Sequence, residues 1–152
     1  MGTSPEALVA QYWDEVWNHK DLGALDRLVA EDFALHISGA DLSGRASLRE
    51  GLATQWFEPF PDLAVRLVLC VAAGDLVAEH LVFTGTHSGA PFHPGLFRAR
   101  GLPPIPVSDR PFEFTQTCFT RVADGRLAEA WEDWDRIRMF LQLGVSIGVP
   151  TA

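Results

Sequence analysis

Residues 112–134 read FEFTQTCFTRVADGRLAEAWEDW, and this stretch decides the fold. Asp124-Gly125 is a two-residue hairpin signal, because such a turn needs positive φ at both central positions. Phe112–Ala123 and Arg126–Trp134 therefore read as paired antiparallel strands. A two-residue turn sets Ala123 opposite Arg126, Cys118 opposite Trp131, Gln116 opposite Asp133 and Phe114 opposite Asp135. One face then carries Phe114, Gln116, Cys118, Val122, Leu127, Trp131, Asp133 and Asp135, with Thr120 and Glu129 among them. The other carries Thr115, Thr117, Phe119, Arg121, Ala130, Glu132 and Trp134. A three-residue turn would undo this sorting.

Upstream, the same period of two runs through Ala64–Ala72 and Leu76–Thr86, joined at Gly74-Asp75. Before residue 63 the period is helical. Ser4-Pro5-Glu6 is a helix start, followed by Leu8, Val9, Tyr12, Trp13, Val16 and Trp17 at helical spacing. A second helix is predicted over 21–30, a short strand over 33–37, and a third helix over 45–57 that Pro59 and Pro61 end. Downstream, Asp135 is placed to cap a last helix through Leu143, with Gly144 as its stop. Helices followed by a meander of strands predict an α+β domain, its helices packed on one face of a curved, mostly antiparallel sheet. Residues 88–111 carry six prolines, and a loop this long in a small domain reads as a lid or binding element.

The chain of 152 residues is the size of one domain, and residues 1–152 are read as such. Its net charge of −8 argues against a sequence-independent nucleic-acid binder and against docking on anionic lipid. No segment reads as a signal peptide or a membrane span. Cys70 and Cys118 lack metal-ligand spacing, and the expectation is of reduced cysteines in a cytoplasmic protein. Five Trp and ten Phe against one Tyr suit a deep apolar pocket, or simply a core of large side chains.

Phosphate-binding loops, dinucleotide fingerprints, metal-ligand spacings and nucleophile elbows do not occur in the sequence. Acid–base chemistry without cofactor or metal is therefore the leading enzymatic class. On the register above, Asp133 and Asp135 sit among aromatics at the far end of the hairpin, where burial and mutual repulsion would raise a carboxyl pKa. The competing reading leaves Asp133 in solvent and Asp135 as a helix cap. Gln116, His87 and His36 are candidate donors to a developing oxyanion. Tyr12, Trp17, Trp56, Phe83, Cys118 and Trp131 complete the predicted pocket wall. Glu79 and His80 lie mid-strand on opposite faces, one inward and one solvated. Phe119 and Trp134, exposed together on the other face of the hairpin, would mark a homodimer interface.

A family resemblance runs from about Tyr12 to Gly144. Trp17-Asn18-His19-Lys20-Asp21 with Leu25, Leu28 and Asp32-Phe33 resembles the start of SnoaL-like polyketide cyclases. So do Phe60-Pro61-Asp62-Leu63, Gly74-Asp75 with Val77-Ala78, and Gly85-Thr86-His87-Ser88-Gly89. Arg121-Val122, Asp124-Gly125-Arg126-Leu127, Glu129, Trp131, Asp135 and Gln142-Leu143-Gly144 continue the match. The resemblance implies a nuclear transport factor 2-like fold, a cone of curved sheet and helices around an apolar cavity. It implies a small-molecule substrate, frequent dimerisation through the sheet, and an acid near the end of the last strand that removes a proton before intramolecular aldol closure. Asp133 or Asp135 would be that acid. Where family cyclases often carry a histidine on the preceding strand, this chain offers Cys118 or Gln116, and its lid through Phe97-Arg98-Ala99-Arg100 is longer than usual. The expected function is a cofactor-independent cyclase or isomerase acting on a polyketide-like or similarly apolar oxygenated molecule. The alternatives are an epoxide-opening or hydroxylating enzyme of the same fold, and a non-catalytic ligand-binding or dimerisation module.

Overall fold

Ser4 caps the first helix, its Oγ accepting a hydrogen bond from the Ala7 amide at 3.3 Å. In the computed structural model, which describes residues 2–37 and 40–148, helix α1 (Pro5–Tyr12) continues into a wide π-helical turn over Trp13–Asn18. The wider turn keeps Tyr12, Trp13, Val16 and Trp17 all on the buried side. Asn18 then ties this end to the sheet: its amide donates to the Val65 carbonyl at 2.9 Å and accepts from the Val65 amide at 2.7 Å. A short turn at Leu22–Ala24, capped by Asp21, leads into α2 (Leu25–Leu28). The chain leaves the helix there rather than at residue 30, because Val29 already pairs with Leu127 as the first residue of β1 (Val29–Ile37). Strand β2 (Ala40–Ser43), which periodicity did not reveal, returns antiparallel to β1. Helix α3 (Arg45–Gly51) also opens into a π-helical turn, Leu52–Phe57, and its Arg45 and Arg49 both reach Asp26 on α2.

Strands β3 (Ala64–Ala73), β4 (Leu76–Thr86), β5 (Pro111–Ala123) and β6 (Arg126–Trp134) follow, and α5 (Arg136–Gln142) closes the chain after the short lid helix α4 (Gly95–Ala99). All six strands form one sheet in the order β2-β1-β6-β5-β4-β3, antiparallel except for β1 on β6. The α+β architecture read from the sequence is thus the observed one. The lid is held down where it begins: the Gly89 amide donates to the Pro59 carbonyl and the Ala90 amide to the Glu58 carbonyl. A side chain at Gly89 would meet the Glu58 carbonyl at 1.8 Å, so only glycine lets the two backbones cross.

The hairpin register departs from the predicted one. Asp124 and Gly125 take φ of 49° and 70°, and Ala123 pairs with Arg126 as the two-residue turn requires. Val122 pairs with Leu127, but Arg121 pairs with Glu129, leaving Ala128 as the extra residue of a β-bulge. From there to the end of β6 every facing is reversed. Cys118 lies opposite Glu132, Thr117 opposite Asp133 and Gln116 opposite Trp134. The inner face of β6 therefore carries Leu127, Ala130, Glu132 and Trp134, while Glu129, Trp131 and Asp133 face outward. Strand β5, which has no bulge of its own, buries Phe112, Phe114, Gln116, Cys118 and Thr120 as predicted.

Candidate active site

The inner face of the sheet and the helices across from it meet in aromatic rings. Phe83 and Phe114 stack with centroids 4.8 Å apart, and Trp17, Trp56 and Trp134 pack above them. Such pairs contribute about 0.5–1.5 kcal/mol each beyond the area they bury, which makes this wall rigid. Beside it lie two neighbouring spaces that share part of their lining. An outer cavity of about 350 Å³ is bounded by β2, α3, the lid and α5. An inner chamber of about 80 Å³ lies behind it, and both are lined by Ile37, Leu42, Gln55, Trp56 and Trp134.

Polar groups in the inner chamber are few and come from four directions. Tyr12 and Trp17 enter from α1 and its π-helical turn, Gln55 from the π-helical turn after α3, Gln116 from β5, and Glu132 from β6. Glu132 reaches it because the Ala128 bulge turned it inward. Burial pushes its pKa up to about 8, and the charge of Glu79 adds to this. Glu79 belongs to the same inward row, Glu79–Cys118–Glu132, across three neighbouring strands. Its Oε2 accepts from Trp13 Nε1 at 2.5 Å, its Oε1 has no partner, and burial raises its pKa to about 7. The two carboxyls lie in one buried row, so the charge on either disfavours ionising the other, and they titrate as a pair.

Two buried N–H donors beside the carboxyl also lack partners, Gln116 Nε2 and Trp17 Nε1. The Tyr12 phenol is held far from ionisation, first by burial and then by the Glu132 charge, so it serves only as a hydrogen-bonding hydroxyl. A carboxyl that can gain or lose a proton near neutrality, facing two unengaged donors in an apolar chamber, can move a proton and stabilise an oxyanion. Among the described residues no group of three or more His, Cys, Asp or Glu side chains is gathered to hold a metal ion.

Of the predicted site residues, Tyr12, Trp17, Trp56 and Gln116 line the chamber. Phe83 is fully buried beneath Trp17 and Trp56 as its floor. Cys118 is buried between the two acids with its Sγ 3.4 Å from Thr120 Oγ1. The other five lie elsewhere. Asp133 is exposed on the outer face because of the bulge. Asp135 is exposed and caps α5, accepting from the Arg138 amide at 3.0 Å. Trp131 also faces outward, where His36 stacks on it, and His36 Nε2 lies 3.0 Å from Glu129 Oε1. His87 is buried against Phe60 and Phe92, outside both cavities, its Nε2–H donating to the Ala90 carbonyl at 3.0 Å. Burial lowers its pKa, and the Ala90 carbonyl and Asp109 offset this only in part. Sequence reasoning missed Glu132, Trp134 and Gln55. The one signal for the first was Glu79, an acid of the same inward row.

The chain matches the family described as SnoaL-like polyketide cyclase over residues 7–143. Among solved structures, it is similar to IdmH, a proposed polyketide cyclase from Streptomyces antibioticus, at 32% identity and a TM-score of 0.72, covering 94% of this chain and 100% of that one. A proposed SnoaL-like polyketide cyclase from Jannaschia sp. CCS1 superposes with a TM-score of 0.77 at 19% identity, covering 97% and 99% of the two chains. AclR, a proposed hydroxylase from Streptomyces galilaeus, does so at 0.72 and 22% identity, covering 96% and 88%. The search of curated proteins gave no match.

Proposed function

The chain belongs to the SnoaL-like polyketide cyclase family, and from that premise we propose that it closes a ring in a polyketide-like substrate by acid–base catalysis, with Glu132 as the proton-transferring group. The observation that carries this reading is the Glu132 carboxyl, raised to about 8, lining the inner chamber beside the unpartnered Gln116 Nε2 and Trp17 Nε1. The aromatic wall folds the substrate so that its two reacting ends meet. The Glu132 carboxylate takes a proton from a carbon between two carbonyls. The resulting enolate oxygen accepts hydrogen bonds from Gln116 and Trp17. The enolate carbon attacks a second carbonyl of the same molecule, forming the carbon–carbon bond, and the new alkoxide takes the proton back from Glu132. No group outside the protein is consumed, and the carboxylate is restored.

The test is turnover and ligand binding on folded Glu132→Gln, Asp133→Asn and Asp135→Asn. Glu132→Gln is expected to lose about 10²–10⁴-fold in rate while keeping its affinity, and the two Asp variants to turn over like the parent. The parent's kcat/KM should rise with pH to a plateau above about 8, as Glu132 ionises. A Glu132→Gln protein as fast as the parent would remove the carboxylate from the mechanism. We further propose that the molecule is a homodimer joined through the outer face of the sheet. What supports this is a row of Val71, Ala78, Phe119 and Trp131 across four neighbouring strands, with Val71 and Phe119 exposed.

A further inference from the structure

The outer cavity is apolar over most of its wall, yet two arginines reach it, Arg98 from the lid helix α4 and Arg136 from the start of α5. Among the described residues neither guanidinium has a carboxylate within 4.0 Å. Other arginines here are engaged: Arg27 with Glu15, Arg45 and Arg49 with Asp26, Arg121 with Asp75. The Arg136 guanidinium lies 5.2 Å over the Trp134 ring, which fixes it at the rim of the chamber that Glu132 lines. Burial disfavours its charge, and Asp133, on the outer face, offsets this only in part. A half-buried cation without a carboxylate partner recovers part of its desolvation cost when it meets an anion in good hydrogen-bonding geometry. The one acid lining the cavity, Asp41, lies 3.5 Å from His36. Two arginines against one aspartate leave a single positive charge to be matched.

We propose that Arg136 and Arg98 form the subsite for a carboxylate at the outer end of the substrate, which is therefore an elongated apolar molecule entering with its uncharged, reacting end first. This deepens the reading of the same cavity as a substrate site and rests on it. A planar guanidinium seated against an indole can make two parallel hydrogen bonds to a carboxylate. Glu132, holding its proton at neutral pH, does not repel such an anion from within.

The experiment measures binding of 6-phenylhexanoate and of its methyl ester, by quenching of tryptophan fluorescence and by calorimetry. The parent should bind the carboxylate at least tenfold more tightly than the ester, and added salt should narrow that ratio. Arg136→Gln should weaken the carboxylate by about tenfold and leave the ester unchanged; Arg98→Gln, on an exposed position, should do the same to a smaller degree. Arg136→Lys should keep part of the preference, since it retains charge but not the fork. Equal affinity for the two ligands in the parent, absence of carboxylate binding at millimolar concentration, or parallel loss of both ligands in folded Arg98→Gln and Arg136→Gln would each overturn the proposal. Glu132→Gln should retain the preference. If Glu132→Gln also turned over like the parent, the catalytic reading would fall while the carboxylate subsite stood.

Discussion

Glu132 and Glu79 bind protons more tightly in the folded chain than an ordinary carboxyl near 4.5 does, at about 8 and about 7. Between those limits the folded state carries more protons than the unfolded one, so stability falls as pH rises. Their contribution is fully present below about 4.5 and is lost by about pH 8. The same desolvation that destabilises the charges brings both carboxyls toward titration near neutrality. Glu79→Gln keeps an oxygen for Trp13 Nε1 and removes one of the two titrations. Its melting temperature is expected to match the parent near pH 5 and to exceed it at pH 8 by several degrees, at about 2–4 °C per kcal/mol for a chain of this size. The variant should also shift the pH–rate profile downward, because Glu132 loses the neighbouring charge that delays its ionisation. A parent whose melting temperature rises steadily from pH 5 to 8 would contradict the assignment.

At the level of elements, the bulge in β6 decides which acid faces the inner chamber. Ala128 is the residue without a cross-strand partner, while Arg121↔Glu129 and every later pair are regular. Deleting Ala128 would let Glu129 follow Leu127 directly into the place it already holds opposite Arg121. Glu132 and Trp134 would still face inward. The expected outcome is a folded protein that keeps turnover and loses about 0.5–3 kcal/mol through the lost bend and twist, read as a lower midpoint in denaturant. Loss of activity in a folded deletion variant, with Asp133 now inward, would show that the register depends on the bulge itself rather than on the strands beyond it. The lid follows the same logic of tertiary anchoring. Its six prolines mark it as irregular, but Phe92 and Ile105 pair across it and are buried, so it is a fixed wall of the cavity in this structure.

At the scale of the whole molecule, the sheet has two faces with different tasks. The inner face holds the cavities. On the outer face, Leu69, Val71 and Phe119 stand 45–66% exposed. Edge to centre, the row Val71–Ala78–Phe119–Trp131 ends at His36, which is stacked on Trp131. A second copy laid on this face would cover the apolar row. Phe119→Glu places a charge at its middle and should convert a dimer to a monomer in sedimentation equilibrium at micromolar concentration, with turnover per chain unchanged. A parent that sediments as a monomer would exclude this interface. Among the described residues no helix is long and apolar enough to cross a membrane.

Local sequence alone determined much of this chain. The turn at Asp124-Gly125, the Ser4 cap, the stop before Pro59 and the alternation on β5 rest on neighbours within a few residues, and all are observed. The inward stripe of β5 was legible because Phe114, Gln116 and Cys118 have no rival set: the opposite phase is threonines and a single Phe119. Strand β6 offered no such contrast. Both of its phases carry one tryptophan and acids: Glu129, Trp131 and Asp133 in one, Ala130, Glu132 and Trp134 in the other. Hydropathy could not choose between them, and a single unpaired residue near the turn reversed the choice. The phase that results is shared with a strand far along the chain, since β1 pairs parallel to β6 and sets Ile37 beside Glu132 and His36 beside Trp131. The period of a strand is a local property of the backbone, but its phase belongs to the sheet. The composition of the pocket was therefore readable from the sequence, and the identity of its acid was settled only by the tertiary fold.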